Sequence, residues 1–169
     1  MKVFLIGFMA SGKTTAGEEL AKELGYEFVD LDQHIETQQG KSIKALFELY
    51  GEDKFREIEH QALRAVAALP SNIVVASGGG TSCFYNSVDF MNHEGVTVYL
   101  KAEVSELLAR LIAAKTERPL LWGKNKDELN DYIIRVLDER KKYYEKAKIT
   151  MPIKYLDIST LANTVKAIQ

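Results

Sequence analysis

Gly7-Phe8-Met9-Ala10-Ser11-Gly12-Lys13-Thr14 has the form G-x-x-x-x-G-K-T, and the rest of the chain is organised around it. The apolar run Val3-Phe4-Leu5-Ile6 precedes it, and a helix-prone run from Ala16 to Leu24 follows. A strand, a glycine loop and a helix in that order make a phosphate cradle. Glycines let successive N–H groups turn toward one centre. The helix adds its own N-terminal N–H groups and its dipole. Lys13 can reach the outer phosphates, and the Thr14 hydroxyl can ligate Mg²⁺. Gly7, Ala10, Ser11, Gly12, Lys13, Thr14 and Thr15 are therefore expected to hold a triphosphate.

Outward from this loop, apolar strand-like runs alternate with helical ones. Glu27 to Asp32 reads as a second strand, running into a loop. Helices are expected from Gln33 to Gln39, from Ser42 to a stop at Gly51, and from Asp53 to Pro70. Ile73 to Ala76 and Val96 to Leu100 read as strands, with a helical segment near Ser87 to Asn92 between them. Glu103 to Ala114 reads as a helix, Asp127 to Ala147 as a long one, Tyr155 to Ile158 as a last strand and Leu161 to Ile168 as a last helix. Residues 115–126 have poor periodicity, one glycine and one proline, and read as a mobile loop. The pattern is α/β: a three-layer sandwich with a central five-stranded parallel sheet and helices on both faces. Right-handed crossovers deliver three loops to one sheet edge: Gly7 to Thr14, Asp30 to Asp32, and Ser77 to Gly80.

Composition bounds the reading. A chain of 169 residues suits one domain, 1–169. A net charge of −2 gives no reason to expect nucleic acid or an anionic membrane as partner. Cys83 is the sole cysteine, so an internal disulfide and a cysteine-based metal site are excluded, which suits a reducing compartment. His34, His60 and His93 lack metal-ligand spacing and read as surface or helix-side residues. No run approaches the length needed to span a bilayer, and Lys2 to Ile6 is better read as a buried strand than as a signal peptide. A cytoplasmic protein is expected, and a monomer is the simplest assembly.

Asp30 and Asp32 lie two apart, so on an extended strand both side chains point the same way. At a phosphate site one such carboxylate can hold Mg²⁺ through water, and the other can accept a proton from an acceptor hydroxyl. The alternative is a solvated strand end, or a helix cap at Asp32. Gly78-Gly79-Gly80 either lets a substrate approach the backbone or serves a turn needing positive φ. Ser77 stands where many P-loop proteins carry an Asp, which shifts metal duty to Thr14 and Asp30. Arg56, Arg118 and Arg140 can each bind carboxylate or phosphate through two parallel bonds, or can lie on solvated faces.

The P-loop, the Asp30 and Asp32 pair, Phe55-Arg56 with Ile58-Glu59, the glycine triplet, Arg118-Pro119-Leu120-Leu121, and Arg140 with Tyr144 occur in that order. As a set they resemble the shikimate kinases over nearly the whole chain. The resemblance implies a P-loop kinase fold with a mobile lid at about 115–126 and a shikimate-binding helical region at about 33–61. It implies that ATP, with Mg²⁺, phosphorylates the 3-hydroxyl of shikimate, a step toward chorismate and the aromatic amino acids. Asp32 would be the proton acceptor, and Lys13 and Arg118 would neutralise the transferring phosphoryl group. Arg56 and Arg140, with the Gly78, Gly79 and Gly80 backbone, would clamp the carboxylate and ring hydroxyls. Thr14 would bind Mg²⁺ directly, with Asp30 and Ser77 acting through water. Arg110 matches an arginine that stacks on adenine, one residue further from Arg118 than the family spacing. Lys142 stands where the family often has proline, and Trp122 has no assigned role.

Two rivals remain open from the residues alone. One is another small-molecule kinase of this architecture, with gluconate or a nucleoside monophosphate as acceptor. The other is a nucleotide-dependent binding module without catalysis.

Overall fold

The computed structural model describes residues 1–114 and 123–168. Five parallel strands form the central sheet: β1 (Lys2–Ile6), β2 (Glu27–Asp30), β3 (Ile73–Ala76), β4 (Val96–Lys101) and β5 (Ile149–Pro152). Their order across the sheet is β2-β3-β1-β4-β5. The helices are α1 (Lys13–Leu24), α2 (Leu31–Gln39), α3 (Ile43–Ala67), α4 (Ser87–Glu94), α5 (Val104–Ala113), α6 (Lys126–Tyr144) and α7 (Ile158–Ala167).

Alternation along the strands decides which helices cover which face. Phe4 and Ile6 of β1 point into a cluster with Leu31, Leu63, Leu107 and Ile133, which come from α2, α3, α5 and α6. Val3 and Leu5 point the other way, toward Ala16 and Leu20 of α1 and Leu161 and Val165 of α7. All five residues of β1 are buried, as expected for a strand covered on both faces. Each fully buried Leu, Ile or Phe side chain contributes roughly 1.5–3 kcal/mol.

The strand order also fixes where a ligand can enter. The chain leaves β1 toward β2 on one side and leaves β3 toward β4 on the other. The crevice outside the carboxyl ends of β1 and β3 is therefore the topological switch point, where open α/β sheets bind ligands.

Three boundaries differ from the sequence expectation. β2 stops at Asp30, because the Asp30 side chain accepts the Gln33 N–H (3.1 Å) and starts α2 two residues early. Asp30, not Asp32, is thus the cap, and Asp32 lies in the first turn of the helix. The expected pair of helices around Gly51 is present as the two helical halves of α3, with Gly51 itself non-helical between them (φ 77°, ψ 174°). The last strand is Ile149–Pro152, paired through Val98 with Ile149, rather than Tyr155 to Ile158. Residues Ile153–Tyr155 form a 3₁₀ turn, and the Asp157 side chain caps α7 through the Thr160 N–H (2.7 Å). The long helix α6 correspondingly ends at Tyr144, before the strand begins.

Candidate active site

The loop after β1 takes the backbone form of an anion cradle. Gly7 and Gly12 have φ of 146° and 91°, values that disfavour a side chain. A Cβ on Gly7 would also lie 2.8 Å from the Leu100 carbonyl oxygen. Ala10 takes a left-handed φ of 64° without being glycine. The buried Ser11 Oγ has no partner among the described residues. Gly12 caps α1 with no side-chain bond, so the first turn of the helix keeps N–H groups to offer. Lys13 is buried, and its Nζ donates to the carbonyls of Gly7 (2.9 Å) and Phe8 (2.8 Å).

Beside the cradle the Thr14 hydroxyl donates to Asp30 Oδ2 (2.7 Å). Ser77, at the end of β3, donates its hydroxyl proton to the Leu5 carbonyl (2.9 Å). Its oxygen can then only accept, as from a water. Asp32, Lys13, Thr14, Thr15, Ser77, Gly78 and Gly79 all line one cavity of about 260 Å³.

The Asp32 carboxyl is pushed up to about 6, first by burial and then by the negative charges of Glu59, Asp30 and Glu36, with Lys13 opposing. A carboxylate so placed can take a proton near neutral pH.

The glycine triplet is explained by close approach rather than by turn geometry. None of Gly78, Gly79 and Gly80 has a positive φ. A Cβ on Gly78 would come within 3.0 Å of Glu59 Oε1 and 3.1 Å of Asp32 Oδ1. One on Gly79 would lie 3.1 Å from the Met9 nitrogen and 3.3 Å from Arg140 Nη1. One on Gly80 would lie 2.5 Å from Arg56 Nη2. The bare loop lets two guanidinium groups and two carboxylates crowd against backbone.

Arg56 is buried, not on a solvated face. It bonds Glu59 (2.9 Å), approaches Glu52 (3.6 Å), and lies over the Phe84 ring at 4.4 Å. Its Nε has no partner among the described residues. Arg140 is half-buried, near the Phe8 ring (5.9 Å). Arg110 donates to the Ala10 carbonyl (3.1 Å), which sets it across the phosphate loop. Arg118 and Trp122 lie outside the described residues.

Two residues without a role in the sequence reading prove central to the site. Glu59 is buried, binds Arg56, and accepts from the Thr81 hydroxyl (2.6 Å). Its signal was the three-residue spacing from Arg56, which puts both on one helical face. Tyr144 is fully buried, stacks on Tyr99 (5.1 Å between centroids), and donates to the Gly79 carbonyl.

A family model for shikimate kinase matches residues 9–166. The chain belongs to the shikimate kinase family. The shikimate kinase of Parabacteroides distasonis is 41% identical over 99% of this chain and 98% of its own length. A crystal structure of shikimate kinase from Bacteroides thetaiotaomicron superimposes with a TM-score of 0.91 at 38% identity, covering 99% of this chain and 97% of that one. The shikimate kinase from Acinetobacter baumannii, solved in complex with shikimate, has a TM-score of 0.85 at 33% identity, covering 99% and 91%. The fold is that of the P-loop kinases, and the protein is an enzyme, a kinase of the shikimate pathway.

Proposed function

We propose that this shikimate kinase family member transfers the γ-phosphoryl group of ATP to the 3-hydroxyl of shikimate, giving shikimate 3-phosphate and ADP. The observation that carries the reading is one cavity lined by the phosphate cradle, by Asp30 and Asp32 and by Gly78 and Gly79, with the Arg140 and Arg56 guanidinium groups packed close to the Gly79 and Gly80 backbone. Gly7, Ala10, Ser11, Gly12, Thr14 and Thr15 hold the phosphates with backbone and hydroxyl groups. Lys13 turns from its resting carbonyls to the β- and γ-phosphates, and Arg110 flanks the nucleotide from α5. Asp32 orients the acceptor hydroxyl and takes its proton as the phosphorus–oxygen bond forms. Arg56 and Arg140 bind the carboxylate, with Gly78, Gly79 and Gly80 leaving room for both. Arg118 joins Lys13 at the transferring group.

The donor set fits Mg²⁺. Thr14 and Asp30 present oxygen atoms, and no cluster of three or more acidic, histidine or cysteine ligands occurs among the described residues. Mg²⁺ is usually held by one or two protein oxygens together with substrate phosphates. Thr14 would hold it directly, and Asp30 and Ser77 through water, and it would neutralise charge on the phosphates. The assembly is read as a monomer, and sedimentation tests that. The lone Cys83 supports a cytoplasmic setting. Among the described residues no helix is long and apolar enough to cross a membrane.

ADP release measured side by side with shikimate, gluconate and nucleoside monophosphates tests the reading. Turnover is expected with shikimate. Turnover with another acceptor and none with shikimate would overturn it, as would ATP binding without transfer to any acceptor.

A further inference from the structure

Tyr144 touches two parts of the acceptor bay from behind. It lies at the end of α6, one turn after Arg140, so both side chains sit on the same face of the helix. Its ring is fully buried and stacked on Tyr99 of β4, with the rings 26° apart, so packing against the sheet sets its position. The hydroxyl donates to the carbonyl of Gly79, whose own backbone lines the cavity. The four-residue spacing brings the Arg140 guanidinium beside the phenol, and each group shifts the other's titration. That guanidinium lies close enough to Gly79 that a Cβ there would sit 3.3 Å from Nη1.

We propose that Tyr144 is a positioning residue for recognition of the acceptor's carboxylate: its single hydroxyl ties the Gly79 carbonyl and the Arg140 guanidinium into one fixed arrangement. This rests on the reading of Arg140 as a carboxylate clamp. A phenol suits the task because it donates and accepts at one atom. Its proton goes to the Gly79 carbonyl, and its oxygen keeps lone pairs that can accept from the neighbouring cation. Stacking on Tyr99 anchors that atom to β4, so the arginine at the mouth of the bay inherits the rigidity of the sheet. Without the hydroxyl, the long Arg140 side chain regains rotamer freedom that must be given up again when a carboxylate binds.

The test uses Tyr144→Phe, which keeps the stacked ring and removes the oxygen. Two acceptors are compared, shikimate and its carboxamide, which is neutral at the same position. The expected result is a rise of about 10-fold in KM for shikimate, the size expected for losing an interaction with a charged group. The KM for ATP should change less than about two-fold, and the preference for shikimate over the amide should shrink by the same factor as the shikimate KM rises. Arg140→Ala should reduce that preference further, and adding Tyr144→Phe to it should have little additional effect. Equal losses on both acceptors, or on both substrates' KM values, would show a general packing role and overturn the proposal. Additive effects in the double variant would overturn it too. If Arg140→Ala leaves the preference unchanged, the clamp reading itself fails. If Arg140→Ala reduces the preference and Tyr144→Phe does not, the clamp stands and the role of Tyr144 falls. A melting curve for each variant separates misfolding from function.

Discussion

At Asp32 a single carboxyl is asked to be both uncomfortable and useful. Burial and the charges of Glu59, Asp30 and Glu36 raise it from 3.8 to about 6. The folded protein therefore binds this proton more tightly than the unfolded chain does. Ionising the group costs stability as pH rises from about 3.8 to about 6, and the full cost stands above that range. Asp32→Asn is accordingly expected to stabilise the unliganded protein at pH 7, by up to roughly 3 kcal/mol, with the gain fading as pH falls toward 4. Chemical denaturation at both pH values checks this. The same variant should lose at least ~10²-fold in turnover, since it removes the proton acceptor. In the native enzyme, kcat/KM for shikimate should fall below about pH 6 as Asp32 takes up its proton. A flat profile from pH 5 to 8 would remove Asp32 from that role. The chemistry of Asp30 and Asp32 was legible because two carboxylates stood beside a phosphate motif. The role of Glu59 was not, because it depends on α3 packing against the Gly78 loop, a contact between distant parts of the chain.

Among the elements, the glycine loop after β3 and the turn before β4 make a useful contrast. Gly80→Ala places a methyl group 2.5 Å from Arg56 Nη2, the far end of a flexible side chain. The arginine must shift, and because it is buried and paired with Glu59 that shift costs stability as well. Its loss of position should raise KM for shikimate by about 10-fold while leaving ATP nearly unaffected. Gly95→Ala places the same methyl 2.1 Å from the Lys2 carbonyl oxygen, which is backbone of the central strand. That variant should lose roughly 1–3 kcal/mol, with shikimate and ATP KM values near normal in what remains folded. Thermal melts and steady-state kinetics on both proteins separate the two cases. Comparable KM effects for shikimate and ATP in Gly80→Ala would argue against Arg56 as a carboxylate ligand. Element by element, helices were read more accurately than the last strand. α5 and α6 announce themselves by periodicity and capping boxes. β5 has only four residues, and its place is set by pairing with β4 rather than by its own pattern. The glycine triplet was legible as special, but its reason, side-chain crowding, required the neighbours to be known.

For the molecule as a whole, ligand and fold are linked. Shikimate at 100 times its Kd should stabilise the native state by about 2.7 kcal/mol. For a chain of this size that corresponds to a rise in Tm of roughly 5–11 °C. Differential scanning fluorimetry checks this, with gluconate as the control expected to give no shift. The parallel sheet, its helices and the edge that carries the site were all readable from the alternation of strand and helix. The two apolar clusters on opposite sheet faces carry a further meaning. The helix that follows the phosphate loop packs in one of them, with α7, while α2, α3 and α6 pack in the other. The helix behind the phosphates and the helices behind the acceptor thus sit in separate layers, while Phe8 of the phosphate loop and Arg110 of α5 tie the loop to the acceptor side. Substitutions in α2, α3 and α6 that spare the seat of Phe8 leave the packing of α1 against α7 intact. A catalyst built this way can change what it phosphorylates, in small steps, without having to relearn how to hold ATP.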